Sequence, residues 1–178
     1  MMNLIQKFFN KEKFNKAKLR QDFSEYFFSQ PEHHWLRNAN STASLEKLFA
    51  HLPAGVLNAM MTKYPVTFIK SQDMKETKHT FAPLSNTIVV FPEFQKLIMS
   101  SNSCSVAYLA HELAFVLYEL EGEKQDPLMA EVEADKFVCD IGFSQELEDF
   151  LLMLDETIEK RLRLTYLTIH HFTSGEHN

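Results

Sequence analysis

His111 and Glu112 stand side by side in Tyr108-Leu109-Ala110-His111-Glu112-Leu113-Ala114-Phe115-Val116-Leu117-Tyr118, and a second acidic stretch, Glu131-Val132-Glu133-Ala134-Asp135, follows shortly after. An imidazole and a carboxylate on one helix are the materials of metal ligation and of general acid–base work. At about 100° per residue, positions 111 and 115 lie on one face, roughly 40° apart, while 112 is offset to the flank. Glu131 and Asp135 stand in the same four-residue relation on the next helix. Packed antiparallel through the tight 122–126 turn, that helix can bring Glu131 up to His111 and let Asp135 accept from the outer ring nitrogen. The set would then offer a metal, a general base and an orienting carboxylate. Position 115 is Phe, whose ring has no lone pair to give a metal.

These residues need a frame, and hydrophobic spacing supplies one. Leu4, Ile5, Phe8 and Phe9, then Phe14, Ala17, Phe23 and Phe27, predict helix over 3–29 with a break near Asn10, ended by Pro31. His33 and His34 lie in a polar stretch, read as surface, and receive no role. Ser41-Thr42-Ala43-Ser44 signals a helix start, and Pro53 opens another helix with Leu57, Met60, Met61 and Tyr64 on its apolar face. The period then changes: Val66 and Phe68, and the segment 80–91 with Ile88-Val89-Val90, predict short strands ahead of the key helix.

Pro92 starts a short connection, and Ser100-Asn102-Ser103 caps a helix from about Cys104 to Glu121 that Gly122 stops. Asp126-Pro127 opens a helix to about Ile141, ended by Gly142. Ser144 is read as the cap of one long closing helix, with Leu147, Phe150, Leu151, Leu154, Ile158, Leu162 and Tyr166 as its apolar stripe.

Composition agrees with a helical interior: of 178 residues 45% are apolar, and sixteen Phe and eight Met stand against four Gly. The expectation is one domain over 1–178, with a helical N-terminal region at 1–64 and, at 65–172, the sheet, the His111 helix, the Glu131 helix and the closing helix. Net charge is −6, although residues 1–20 hold Lys7, Lys11, Lys13, Lys16, Lys18 and Arg20 against Glu12 alone. The acidic remainder argues against nucleic acid as a partner, because phosphate affinity comes from Lys and Arg. The basic segment 1–20 could lie on an anionic membrane surface, but its aromatic stripe reads first as a docking face toward the core. Two cysteines, Cys104 and Cys139, no apolar run near the roughly 18–20 residues of a membrane span, and no leader-like start predict a cytoplasmic protein with reduced thiols.

Residues 79–155 resemble the HExxH zinc metallopeptidases of the gluzincin type, minigluzincins included, in which a Glu of an E-x-x-A-D helix completes the zinc ligands. The strand Thr87–Phe91 and the segments AHELAFVLYEL, EVEADKFVCDIG and FSQELEDFL carry the likeness. It implies an α+β, zincin-like fold, mostly helical, with a small β-sheet packed beside the active-site-like helix. It also implies His111 as first zinc ligand, Glu112 as catalytic base, Glu131 as glutamate ligand and Asp135 as the acid that orients His111. Phe115 stands where the family has its second histidine, so zinc is expected to be weakly held or absent. Without metal, His111, Glu112, Glu131 and Asp135 would form a polar cluster with a cationic imidazole.

The reading is therefore a metallopeptidase-like protein with a degenerate site, catalytically inactive. It would act as a binding or regulatory module that takes a peptide or protein segment in a groove beside the sheet. The alternative is an active zinc peptidase whose missing ligand comes from His79, His170, His171 or Glu119. A third reading, a chance His-Glu pair on an unrelated helical protein, requires His111 and Glu131 to lie apart.

Overall fold

A computed structural model of the chain describes residues 15–71, 86–100, 103–120 and 126–175. Asn15 caps the first described helix, α1 (Lys16–Ser29), by accepting from the Lys18 N–H at 3.2 Å, and Phe23 and Phe27 form its buried edge. Pro31 forces Gln30 into an extended conformation and so stops α1, then starts a 3-10 turn, Pro31–Leu36. The expected helix over 3–14 lies outside the described residues.

Helix α2 (Ala39–His51) begins earlier than the Ser-Thr run indicated. Its cap is Asn38, whose side chain accepts from the Ser41 N–H at 3.0 Å, so Ser41 and Ser44 fall inside the helix and are buried. Pro53 opens α3 (Ala54–Thr62). Strands β1 (Val66–Lys70) and β2 (Asn86–Val90) pair in parallel, Phe68 opposite Ile88, across the connection 71–85, long enough for the crossover that parallel pairing requires. Pro92 starts α4 (Pro92–Met99), and α5 (Cys104–Leu120) carries His111. Asp126 caps α6 (Pro127–Asp140) by accepting from the Leu128 N–H at 3.0 Å. Gly142 follows with φ of 92°, a left-handed conformation that glycine adopts without a Cβ penalty. Two further helices, α7 (Ser144–Met153) and α8 (Ile158–Gly175), end the described chain.

The architecture is thus α+β: helices around one small two-stranded sheet among the described residues. Every residue from Cys104 to His111 is buried, so α5 is wrapped on all sides and is the axis of the core. Ala107, Ala110 and Ala114 let its neighbours α2, α6 and α7 come close. No helix among the described residues is long and apolar enough to cross a membrane.

Three further expectations fail here. The closing helix is two helices, with Ser144 as the first residue of α7, not its cap. Thr157 Oγ1 accepts from the Lys160 N–H at 3.0 Å and starts α8, while Lys160 Nζ donates to the Leu154 and Leu152 carbonyls, at 2.7 and 3.4 Å, left over where α7 stops. The apolar stripe is not the buried face of α8: Ile158 is 87% exposed and Tyr166 42%, whereas Lys160, Arg163 and Leu167 point inward. His33, finally, is buried, though His34 beside it is exposed. Its Nδ1 donates to the Phe27 carbonyl at 2.7 Å and its Nε2 accepts from the Phe68 N–H at 3.0 Å, and the ring stacks on Phe27. With one partner of each kind the ring is neutral, and burial holds its pKa below the ordinary histidine value.

Candidate functional site

His111 lies midway along α5, in the most enclosed part of the core, with 3% of its side chain exposed. Its two ring nitrogens point in opposite directions, and α6 presents Glu131 and Asp135 one turn apart, a spacing that brackets an imidazole. His111 Nε2 is 2.9 Å from Glu131 Oε2, and Nδ1 is 2.8 Å from Asp135 Oδ1. The sequence-derived trio of His111, Glu131 and Asp135 therefore meets, because the two helices that carry it are consecutive and pack against each other.

A fourth residue completes the arrangement, and sequence reasoning missed it. Arg163 of α8 donates from Nε to Asp135 Oδ2 and from Nη2 to Asp135 Oδ1, both at 2.7 Å, a two-pronged contact that a guanidinium makes and an ammonium cannot. Its Nη1 lies 3.1 Å from the Glu131 oxygen that His111 also contacts, and 3.6 Å from Glu159. Each carboxylate thus touches both cations, and the four side chains close a ring holding two positive and two negative charges. All are largely withdrawn from water, their side chains between 3% and 14% exposed. The only hint in the sequence was that positions 160, 163, 164 and 167 also share a helical face, reading Lys-Arg-Leu-Leu beside a wholly apolar rival.

The charges reinforce one another. Burial and the guanidinium beside it oppose a charged imidazole, but the bonds to Asp135 and Glu131 outweigh them and raise the His111 pKa to about 9. Burial would raise the Asp135 pKa; His111 and Arg163 instead hold it below the ordinary carboxylate range. Burial likewise works against the Arg163 charge, and Asp135 and Glu131 more than restore it. At neutral pH His111 therefore carries a charge, each of its nitrogens donating to a carboxylate.

Zinc does not fit these residues as they stand. Nε2 of His111 is spent on Glu131, Glu131 is shared with a guanidinium, and Phe115 is a half-buried core ring one turn along from His111. Asp135 occupies the opposite ring nitrogen, so His111, Glu131 and Asp135 do not converge on a common point; among the described residues no three His, Cys, Asp or Glu could hold a metal ion together. Glu112 is half-buried on the flank of α5, where its charge helps push up the pKa of Tyr108, itself raised chiefly by burial. Of the alternative ligands, His170 faces Asp140 at 3.7 Å, whereas His79 and the side chains of Glu119 and His171 lie outside the described residues.

No protein-family model, curated protein or solved structure matches the chain.

Proposed function

We propose that this protein is a non-catalytic binding or regulatory module on a zincin-like frame, in which the position of a peptidase metal is taken by an internal salt cluster. Phe115 and the Arg163 guanidinium carry the reading: Phe115 has no lone pair to serve as a ligand beside His111, and Arg163 already neutralises Glu131 and Asp135. With no metal-bound water to activate, Glu112 has no hydrolytic step to serve. Binding is the function that remains to such a frame.

The partner we propose is an extended peptide segment that adds along the sheet. Along β1 the backbone groups of Phe68 point away from β2, and both are taken: His33 accepts from its N–H, and Trp35 Nε1 donates to its carbonyl at 3.1 Å. Those two side chains occupy the outward backbone groups of Phe68 on the β1 edge, and the addition we propose is along β2. Cys104 and Cys139 are both buried and unbridged, which supports a reducing, cytoplasmic setting.

The test uses tag-free protein supplied with zinc, a peptide library carrying a quenched fluorophore, and hydrogen exchange. The expected result is no stoichiometric zinc, no cleavage, and slowed exchange at residues 86–90 with a binding peptide. Zinc-dependent cleavage that Glu112→Gln abolishes would overturn the reading in favour of an active peptidase.

A further inference from the structure

We propose that the outer face of α8 is a self-association surface, and that its occupant is a second copy of this chain related by a two-fold axis. Helix α8 turns polar residues inward and apolar ones outward. Lys160, Arg163 and Leu167 are buried, whereas Ile158 is 87%, Ile169 53% and Tyr166 42% exposed. At about 100° per residue these three and the half-buried Leu162 fall within roughly 80° of arc and form one apolar ridge. Leu152 and Met153, each 59% exposed, follow on at the end of α7, which Lys160 ties to α8 through the Leu152 carbonyl.

A groove lies beside the ridge. Arg163 meets Glu131 and Asp135 while His170 faces Asp140, so α6 and α8 run side by side in the same direction. Between them opens a cleft of about 230 Å³, lined by Val132, Lys136 and Cys139 of α6 and by Tyr166, Ile169 and His170 of α8. Tyr166 and Ile169 belong to both features, as a wall of the cleft and as part of the ridge. A surface with a knob and a hole side by side complements itself under a two-fold rotation, the ridge of each copy seating in the groove of the other.

The area is of the size a dimer uses. Ile158, Tyr166, Ile169, Leu152 and Met153 together leave on the order of 400 Å² of apolar surface in water. A standard interface takes roughly 800 Å² from each partner, so the ridge supplies about half, and the cleft and its polar margin the rest. Charge then selects the occupant. The charged residues bordering this face are matched within the chain: Lys136 lies 3.8 Å from Glu133, Glu159 3.6 Å from Arg163 and His170 3.7 Å from Asp140, and Arg161 pairs with Glu156. The face is thus close to neutral although the whole chain carries −6, and two copies meet there without opposing like charges. An anionic membrane calls for a margin of unmatched Lys and Arg, and a strongly charged peptide for an excess of one sign. The described residues of this face offer neither.

The test is sedimentation equilibrium on the tag-free full chain, from about 1 to about 100 μM. A dimer with a micromolar dissociation constant is expected. Tyr166→Glu combined with Ile169→Glu, at two exposed positions, should weaken it at least about 100-fold while circular dichroism stays unchanged. With no variant at all, raising the wild-type concentration should slow amide exchange over 132–139 and 158–170. A wild-type chain that stays monomeric throughout the range overturns the proposal. So does a dimer that the folded double variant retains, or one whose protection falls elsewhere. A monomer that floats with anionic vesicles overturns it too, and assigns the face to a membrane. If the double variant unfolds, the wild-type exchange pattern decides. The peptide-binding reading is judged separately, by protection at residues 86–90.

Discussion

His33 and His111 are both buried, and the protein holds them in opposite charge states. His33 sits among Phe27, Phe68 and backbone, gives one hydrogen bond to a carbonyl and takes one from an amide, and so is neutral. His111 is enclosed to a similar degree, yet each of its ring nitrogens faces a carboxylate, which outweighs the Arg163 Nη2 3.3 Å from Nδ1, and both nitrogens carry protons. Burial alone pushes every imidazole toward neutrality; what separates the two is whether the second partner is an amide donor or an acid. A backbone amide cannot accept, so it fixes a tautomer. A carboxylate can do nothing else, so it fixes a charge.

The sharpest way to break this comparison is to remove the cation that shares the acids of His111. Arg163→Met leaves Glu131 and Asp135 facing a single imidazolium, and loss of one partner from a buried ion network costs about 3–5 kcal/mol. Urea unfolding without added metal should register that loss. A change below about 1 kcal/mol would mean that the ring contributes little and that His111 alone balances the acids.

Next in size is the dependence on pH, where the two histidines act in opposite directions. The folded pKa of His111 is raised from 6.5 to about 9, so its contribution is full below 6.5 and is lost as pH climbs through about 9. The folded pKa of His33 is lowered, so the unfolded chain takes up its proton first and stability falls as pH drops below 6.5. Melting temperature plotted against pH should fall on both sides, the alkaline arm being worth up to about 3 kcal/mol. His111→Gln should flatten the alkaline arm and leave the acid one; an alkaline arm that survives this change would assign it to other groups.

The smallest effect concerns His33. His33→Phe keeps the aromatic packing on Phe27 but strips a partner from the Phe27 carbonyl and the Phe68 amide, at a cost of about 1–3 kcal/mol. It should also remove the part of the acid arm that begins near pH 6.5, leaving the carboxylate part at lower pH and the alkaline arm, and hydrogen exchange at Phe68 should quicken. Unchanged exchange there would show that His33 does not hold the β1 edge.

Much of the frame was readable because it is governed by neighbours in the chain. Asp126-Pro127 starts α6 through one side-chain bond to Leu128, and Gly142 takes a positive φ just past its end. His111, Glu131 and Asp135 could be brought together on paper because the two helices follow one another and share a four-residue spacing. The identical logic failed on α8. There the wholly apolar stripe through Ile158 and Tyr166 was the better hydrophobic pattern, yet the helix turned Lys160 and Arg163 inward. Periodicity weighs each residue by its own transfer cost, which is prohibitive for a lone guanidinium and small for one met by two carboxylates.

The sequence by itself determined most of the helices, the two short strands, the Asp126 cap, and which two carboxylates would gather around one imidazole, because each follows from contacts within a few residues or between consecutive helices. Only the tertiary structure supplied the second cation of that gathering and the partners that keep His33 neutral. Arg163 comes to Asp135 from a helix 28 positions further along the chain, and the Phe68 amide comes to His33 across 35. Such partners leave no local trace, because what makes a buried polar atom affordable is an atom that the fold brings to it from elsewhere.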